Sequence, residues 1–248
     1  MSIFGINCNS SYASINLRFS SSVIFISIPG KLYLVCDGVG GNGNGLLASQ
    51  LICNSISSSI QNETMFDLSN ILQKAEKELS NYKKNHPTTK SMSSTIALTK
   101  IHETFITIAW IGDSSVYQIR DGKIIYKTIN HSWVAEAIVR GELTELESYF
   151  HPNKNQLTRS VKGVEHPTEF DSFVCNTIQE DDIFLLCTDG IQESWIDADL
   201  EALFSAQNTT KEIINQIDKQ CEQFSDDNYS AILFQVGFIN KVNVNNES

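Results

Sequence analysis

Four aspartates of this chain lie beside apolar runs that are typical of buried β-strands: Asp37, Asp113, Asp189 and Asp227. The first three come within two residues after such a run, and the fourth comes just before the run 229–236. Carboxylates at the ends of core strands are poorly solvated and close to one another, so their mutual repulsion is costly unless a cation neutralises it. The pattern therefore predicts a metal site at which these carboxylates meet.

Paired strand-like runs are predicted to carry these residues. Three pairs predict antiparallel hairpins: 23–28 with 32–36, 95–99 with 105–111, and 116–120 with 123–127. The third pair is joined by Asp121-Gly122, a dipeptide that favours a tight type I′ turn. We therefore assign a turn, and no chemistry, to this Asp-Gly pair.

Helical patterns occur between and after the hairpins. Apolar residues recur at helical spacing in 68–84, a second helix is predicted over 46–60, and a capping box of Thr209 and Glu212 opens a third amphipathic helix. Hairpins interrupted by helix pairs favour an α+β fold. We predict a four-layer α-β-β-α sandwich, in which two antiparallel sheets pack together between flanking helices.

Two short helices are predicted in a polar insertion at about 130–165. Ser132 caps the first helix, and a capping box that begins at Thr144 opens the second. The insertion separates two of the predicted metal ligands along the chain. It is therefore either a flap near the site or an ordinary surface excursion.

Composition favours one domain and limits the partners. The 248 residues are 41% hydrophobic and contain no Pro/Gly/Ser-rich linker, which predicts a single domain over 1–239 and a polar tail over 240–248 that we expect to be disordered. A formal charge of −11 without a basic stripe argues against a nucleic acid or an anionic membrane as partner. The six cysteines lack CxxC spacing, and the run 23–28 is too short for a signal segment or a membrane span. We therefore expect reduced thiols and a cytosolic location.

Several motifs occur in an order that resembles one known family. The longest is Asp37-Gly38-Val39-Gly40-Gly41, followed by Gly45 and Ala48-Ser49. The others are Ser94-Thr95, Gly112-Asp113-Ser114, Asn130-His131-Ser132, Leu157-Thr158-Arg159 with Gly163, Cys187-Thr188-Asp189-Gly190 and Asp227-Asn228. On these residues the chain resembles the metal-dependent protein serine/threonine phosphatases of type 2C (the PPM family), especially the small stand-alone bacterial ones.

The resemblance implies a centre that holds two or three Mg²⁺ or Mn²⁺ ions between the sheets. Asp37 would bridge two ions, the Gly38 carbonyl would bind the second ion, and Asp189 and Asp227 would complete the first. Asp113 would hold a third ion together with Asp189. Carboxylate and carbonyl oxygens suit these ions, whereas zinc would need a His or Cys spacing that the sequence lacks.

The reaction that this resemblance implies is hydrolysis of phosphoserine and phosphothreonine in proteins by a metal-activated water. The substrate would be a protein phosphorylated by a bacterial-type serine/threonine kinase. We expect the protein to act as a monomer.

The region before Asp37 departs from the family pattern. The family carries a phosphate-binding arginine near its N-terminus and, a few positions later, an acidic metal ligand, whereas this chain has no Asp or Glu before Asp37. Alignment places Arg18 as the phosphate clamp, a catalytic role, and Ser22 at the acidic position. A hydroxyl is a poorer ligand than a carboxylate, so the second ion would be held loosely.

Two other functions stay open at this point. The missing acid motivates a pseudophosphatase, which would be a binding module that recognises a phosphoprotein or partner without turnover. The sequence also permits hydrolysis of a small phosphomonoester, because the metal cluster determines the reaction type and the surrounding surface determines the substrate. For His131 we expect a structural role at a helix start rather than a catalytic one.

Overall fold

The computed structural model describes residues 3–5, 12–16, 21–27, 31–41, 44–62, 66–164, 168–237 and 240–242. The strands within these ranges are β1 (Ile3–Gly5), β2 (Tyr12–Asn16), β3 (Ser22–Ser27), β4 (Leu32–Val39), β5 (Ser93–Ser94), β6 (Ile96–Ile101), β7 (Ile106–Ile111), β8 (Ser115–Arg120), β9 (Lys123–Lys127), β10 (Asp171–Cys175), β11 (Ile183–Cys187), β12 (Ser230–Gln235) and β13 (Asn240–Val242). The α-helices are α1 (Asn44–Asn62), α2 (Leu68–Asn85), α3 (Trp133–Val139), α4 (Glu145–Tyr149), α5 (Asp189–Ser194), α6 (Asp197–Ser205) and α7 (Thr210–Phe224).

Two antiparallel sheets form the centre of the fold. The first has the strand order β10-β7-β6-β4-β3, with β5 paired to the end of β4, and the second has the order β2-β12-β11-β8-β9. The three predicted hairpins are confirmed, since β3 pairs with β4, β6 with β7 and β8 with β9. In the third hairpin Asp121 and Gly122 have φ values of +50° and +74°, as a type I′ turn requires.

The alternation of side chains along β4 shows how the layers pack. Leu32 and Leu34 lie in an apolar cluster with α1 and α2, whereas Tyr33 and Val35 lie in the cluster between the two sheets. Tyr33 stacks on Phe234 of the second sheet, with ring centroids 4.2 Å apart. A third cluster joins the second sheet to α5, α6 and α7. The predicted α+β fold, a four-layer α-β-β-α sandwich, is confirmed.

Two of the predicted helices begin at side-chain caps, of which the capping box of α7 was predicted and the cap of α2 was not. The Asp67 side chain accepts a hydrogen bond from the Asn70 N–H (3.1 Å) at the start of α2, and Thr209 with Glu212 forms the capping box of α7. Helix α2 buries one apolar face, which comprises Ile71, Leu72, Ala75 and Leu79. These helices cover the outer faces of the sheets because their apolar faces match the outward apolar residues of the strands.

Strands β2 and β10 have no counterpart among the predicted strands. Strand β10 lies at the edge of the first sheet and leaves Ser172, Phe173 and Val174 exposed, so it lacks the alternation of a half-buried strand. The predicted tail, 240–248, begins with β13, which pairs with β1, and residues 243–248 lie outside the described ranges. Backbone pairing of this kind needs no apolar side chain, which is why composition did not indicate it.

Five cysteines are described, and all are buried and free: Cys36, Cys53, Cys175, Cys187 and Cys221. Cys8 lies outside the described ranges. In the described part of the chain, no helix is both long enough and apolar enough to cross a bilayer.

Candidate metal centre

The end of β4 holds Asp37 against the first residues of the neighbouring hairpin. The Asp37 N–H donates to Thr95 Oγ1 (2.9 Å), and the Thr95 N–H donates back to the Asp37 carbonyl (2.7 Å). The Thr95 hydroxyl also hydrogen-bonds with the Ser114 hydroxyl (2.6 Å), which adjoins Asp113 in sequence. Thr95 therefore links the strand end that carries Asp37 to the turn that carries Asp113.

Gly38 and Gly45 bring the start of α1 against the end of β4. A Cβ atom on either glycine would collide with the carbonyl oxygen of the other, so only residues without a side chain permit this approach. The Gly38 N–H donates to the Ser21 carbonyl (3.0 Å), which holds the same strand end against the start of β3. The glycines of the longest motif thus have a packing role that fixes the position of Asp37.

Asp113 lies in a tight turn after β7. Gly112 has a φ of +99°, which glycine adopts without strain, and a Cβ atom there would press against Thr95. The Asp113 residue is 9% exposed, and its backbone carbonyl accepts a hydrogen bond from Gln192 Nε2 (2.8 Å). Helix α5 of the other sheet's layer therefore fixes this turn.

Asp189 and Asp227 come together through the start of α5 and the loop before β12. Asp189 is the first residue of α5, and its Oδ1 accepts a hydrogen bond from the Gly190 N–H (2.9 Å). The Ser225 hydroxyl donates to the Gly190 carbonyl (3.0 Å), which fastens the loop to the helix. Asp227 is exposed in this loop, and its Oδ1 accepts from the Asn228 N–H (2.7 Å).

Burial and mutual repulsion raise the pKa values of three of these carboxyl groups. Burial raises the pKa of Asp37 to about 6, with the charge of Asp227 adding to the rise and a hydrogen bond from Ser21 opposing it. Burial and the charge of Asp37 raise the pKa of Asp113 to about 7. Burial, followed by the charges of Asp113, Asp37 and Asp227, raises the pKa of Asp189 well above its ordinary value. The structure thus brings all four predicted aspartates close enough to act on one another.

The donor set fits a hard divalent cation. Mg²⁺ and Mn²⁺ prefer oxygen ligands, and Mg²⁺ commonly binds one or two carboxylates and keeps several waters. Among the described residues, no three His, Cys, Asp or Glu side chains converge as a ready-made cage for one ion. An ion that retains waters needs no such cage. Because the charges that most affect these aspartates are other acids, a divalent ion would relieve their repulsion.

Ser21 is the serine that lies beside the predicted ligands, rather than Ser22. The Ser21 hydroxyl donates to Asp37 Oδ1 (2.8 Å), whereas the Ser22 side chain is buried and hydrogen-bonds with the Ser230 hydroxyl (2.6 Å) on β12. Successive residues of a strand project to opposite faces, so a shift of one position changes which sheet face a side chain meets. Arg18, the predicted phosphate clamp, lies outside the described residues.

His131 has a structural role, as we predicted; it lies one residue before the cap of α3, and its side chain acts on the Asp113 turn. Its Nδ1 accepts a hydrogen bond from the Gly112 N–H (3.1 Å), so Nε2 carries the proton and donates to Asp171 Oδ2 (3.0 Å). Arg159 donates two hydrogen bonds to the same Asp171 carboxylate (3.0 and 3.2 Å). Burial lowers the pKa of His131, which favours the neutral ring that this arrangement needs.

Asp171 and the contacts that depend on it were not predicted from the sequence. Asp171 begins β10, and no apolar pattern marks that strand. The signal that could have found it is the pair of His131 and Arg159, since both side chains are donors that bind carboxylates.

The insertion between Asp113 and Asp189, which we call the flap (residues 130–164), lies beside the centre. Its predicted caps at Ser132 and Thr144 are confirmed. Lys154 of the flap forms an ion pair with Glu193 of α5 (3.1 Å). A cavity of about 530 Å³ is lined both by flap residues and by Asp113 and Asp189.

The return segment of the flap is fastened to α2. The buried Glu76 carboxylate accepts hydrogen bonds from the Gly163 N–H (2.5 Å) and the Thr168 N–H (3.1 Å). Lys83 Nζ donates to the Lys162 carbonyl (2.6 Å). The flap is therefore held at its start by His131 and at its return by α2.

Comparisons with known proteins agree with this geometry. The sequence matches the family described as protein phosphatase 2C over residues 25–227. It is 26% identical over 219 residues to the serine/threonine phosphatase stp of Listeria innocua, a match that covers 85% of this chain and 86% of that protein. It is 27% identical over 179 residues to the serine/threonine protein phosphatase PstP of Mycobacterium tuberculosis, covering 70% of this chain and 34% of that one.

Solved structures share the fold. Serine/threonine phosphatase Stp1 from Staphylococcus aureus has a TM-score of 0.83 at 22% identity, covering 94% of this chain and 97% of that chain. The catalytic domain of PstP in complex with two manganese ions has a TM-score of 0.77 at 21% identity, covering 95% of this chain and all of that one. The region of the family match contains all four strand-end aspartates, and this chain belongs to the protein phosphatase 2C family.

Proposed function

We propose that this protein is a Mg²⁺- or Mn²⁺-dependent phosphatase that hydrolyses phosphoserine and phosphothreonine in proteins. The observation that carries the proposal is the group of Asp37, Asp113 and Asp189, whose pKa values are raised by burial and by repulsion among acids at one edge of the two sheets. Membership of the protein phosphatase 2C family and relatives named as serine/threonine phosphatases support the reaction and the substrate class.

The proposed ligands are those that the resemblance to the protein phosphatase 2C family implies. Asp37, the Gly38 carbonyl, Asp189 and Asp227 would hold two ions. Asp113 with Asp189 would hold a third. The two manganese ions of the PstP structure support a count of at least two. When bound, Mg²⁺ or Mn²⁺ makes a water molecule more acidic and offsets negative charge on the phosphoryl group.

The residues of the chain itself set the positions of these carboxylates. Thr95 holds Asp37 relative to the turn at Asp113, and Gln192 holds the backbone of that turn from the opposite layer. Arrangements of this kind lower the cost of ordering the site when a cation and a phosphate arrive, because the acids are already in place. Ser21 donates to Asp37 and favours its ionised form. We also assign Arg18 to the substrate phosphate.

Substrate, assembly and location form the remainder of the proposal. The substrate would be a protein phosphorylated by a bacterial-type serine/threonine kinase, and the enzyme would act as a monomer. The five buried free cysteines are typical of a reducing compartment, which supports the cytosol.

The test is hydrolysis of a phosphothreonine peptide as a function of Mn²⁺ concentration, with a chelator as the metal-free control. Asp227→Asn and Asp226→Asn form a matched pair, because both aspartates are exposed neighbours but only Asp227 acts on the buried acids. We expect saturable, Mn²⁺-dependent turnover that Asp227→Asn reduces at least tenfold and Asp226→Asn leaves nearly unchanged. Asp37→Ala should abolish it.

Other outcomes would favour the other candidates. Folded protein that shows no turnover at millimolar Mn²⁺, and that binds fewer than two ions in calorimetric titration, would support a pseudophosphatase instead. Faster hydrolysis of free phosphothreonine than of the peptide would support a small phosphomonoester as the substrate.

A further inference from the structure

A cavity under the flap opens directly onto the candidate metal centre. It has a volume of about 530 Å³, and its lining includes Asp113 and Asp189 together with Leu146 and Phe150 of the flap. A second cavity of about 560 Å³ adjoins it, because several residues, including Leu146, line both. We call the two together the flap cavity. Volumes of this size are typical of pockets that bind a ligand.

The walls of the flap cavity are mainly apolar. Val134, Leu146, Tyr149 and Ile196 line both parts of it. At its edge, Leu146 and Phe150 are 70% and 83% exposed, which is unusual for two large apolar side chains only four residues apart. Exposed apolar groups beside a concave apolar surface are typical of a binding site.

The two lysines that line the flap cavity are already paired. Lys154 forms its ion pair with Glu193 (3.1 Å), and Lys127 forms one with Asp197 (2.8 Å). An acidic side chain entering the cavity would therefore meet no unpaired cation among its described lining residues, and it would approach the acids of the metal centre. A basic side chain would meet Glu145 and the acids of the centre, where it would compete with the proposed metal ions for the same carboxylates. An apolar side chain has neither cost.

We propose that the flap cavity binds a large apolar side chain that flanks the phosphorylated residue of the substrate protein. The inference rests on the proposed function, because the phosphate must lie at Asp113 and Asp189 for its neighbour in the peptide to reach the flap. The enzyme would thus select phosphosites next to leucine-like or phenylalanine-like residues, and Leu146 and Phe150 would determine that selectivity.

The test compares phosphothreonine peptides that differ at one flanking position. Leucine, phenylalanine, serine and glutamate are placed in turn at each of the three positions before and after the phosphothreonine. The readout is the selectivity ratio, which is kcat/KM for the best apolar peptide divided by kcat/KM for the matching serine peptide. It is measured for the wild type, Leu146→Ser, Phe150→Ser and the control Val174→Ser. Val174 is also exposed but lies on β10, outside the cavity.

We expect a ratio of about ten or more in the wild type, since one large apolar group in a pocket discriminates by roughly 10- to 200-fold. The ratio should fall towards one in Leu146→Ser and Phe150→Ser, mainly through KM, and stay at the wild-type value in Val174→Ser. General damage to the enzyme lowers both rates and leaves the ratio unchanged.

Two results would overturn the inference. One is a wild-type ratio near one at every flanking position, and the other is a ratio that persists in both flap variants. Either result leaves the proposed phosphatase activity intact, because the peptides are still hydrolysed. Failure of the proposed function would show instead as no Mn²⁺-dependent hydrolysis of any peptide.

Discussion

Strand β11 has an acid near each end, Asp182 fully buried and Asp189 partly buried, and the two acids have opposite kinds of charged neighbour. Asp182, just before the strand, is fully buried and accepts hydrogen bonds from Arg120 Nε (2.7 Å), Arg120 Nη2 (2.8 Å), Gln118 Nε2 (2.9 Å) and the Gln179 N–H (2.9 Å). Asp189, just after the strand, has other acids as its charged neighbours. At Asp182 the protein supplies the counter-charge through Arg120. At Asp189 a counter-charge has to come from a bound cation.

The difference distinguishes a structural acid from a functional one. A buried carboxylate with an arginine and further donors is already neutralised, so it gains little from a metal ion. A carboxylate whose charged neighbours are acids stores unfavourable energy that an added cation can release. The two acids also differ in burial, but their partners decide which of them gains from a bound cation.

The largest effect should come from removing the counter-charge at the structural end. Arg120→Met leaves Asp182 buried without its cation, so we expect the free energy of unfolding to fall by about 3–5 kcal/mol. Denaturant unfolding measures this change. Asp182→Asn is the control, since it removes the charge itself and should cost less. Stability within 1 kcal/mol of the wild type would show that the pairing at Asp182 does not hold this end of the strand.

The next effect should come from the functional end. We expect Asp189→Asn to lower kcat/KM for a phosphothreonine peptide about 100-fold, or roughly 2.7 kcal/mol in the transition state, because a proposed ion ligand is lost. The metal-free protein should unfold at the same or a higher temperature, because a neutral amide relieves the repulsion among the acids. Undiminished turnover would contradict the assignment of Asp189 as a ligand.

The pH dependence of stability tests whether the acids of the metal centre repel one another. Acids with pKa values raised in the folded state bind more protons when folded than when unfolded, so they weaken the fold as pH rises. For Asp37 and Asp113 this loss of stability begins at about pH 4 and ends near their pKa values in the folded protein, which are about 6 and about 7. With a chelator present we expect the free energy of unfolding to fall by about 4 kcal/mol between pH 5 and pH 8, and Tm by roughly 8–16 °C.

Mn²⁺ should cancel most of that loss, and its stabilising effect should grow with pH, because it binds the ionised acids. Asp113→Asn should make the dependence on pH shallower. Metal-free stability that is flat or rises between pH 5 and pH 8 would contradict the raised pKa values.

The smallest effect concerns the serine beside Asp37. Ser21→Glu adds a carboxylate beside Asp37, so we expect half-maximal activity at about a fivefold lower Mn²⁺ concentration, or roughly 1 kcal/mol. Ser22→Glu is the comparison variant, and it should destabilise the fold because Ser22 is buried between the sheets against Ser230. An unchanged Mn²⁺ requirement in Ser21→Glu would show that Ser21 does not border an ion.

The aspartates of the centre could be predicted because local sequence marks them. Each follows or precedes an apolar run, and the strand order then brings those strand ends to one edge. The hairpins and capped helices were predictable for the same reason, since turns and caps depend on residues a few positions apart.

Contacts between distant parts of the chain could not be predicted in this way. The bond from Gly112 to His131, and from His131 to Asp171, joins three segments whose spacing carries no periodic signal. The choice between Ser21 and Ser22 depends on which face of the first sheet each side chain meets, and three consecutive serines leave that face undetermined. Asp182 has a cationic partner and Asp189 has acidic neighbours. This difference likewise depends on residues that only the fold brings together.

The two-ended anchoring of the flap makes this enzyme modular. His131 fixes the start of the flap to Gly112, and Glu76 fixes its return at Gly163. Arg159 near the return holds the Asp171 partner of His131, so contacts near the two ends fix both of them. Segments of different length and chemistry can therefore be exchanged between these two anchors while the carboxylates keep their places. Substitutions in the flap, natural or engineered, can therefore change substrate choice without changing the residues that perform hydrolysis.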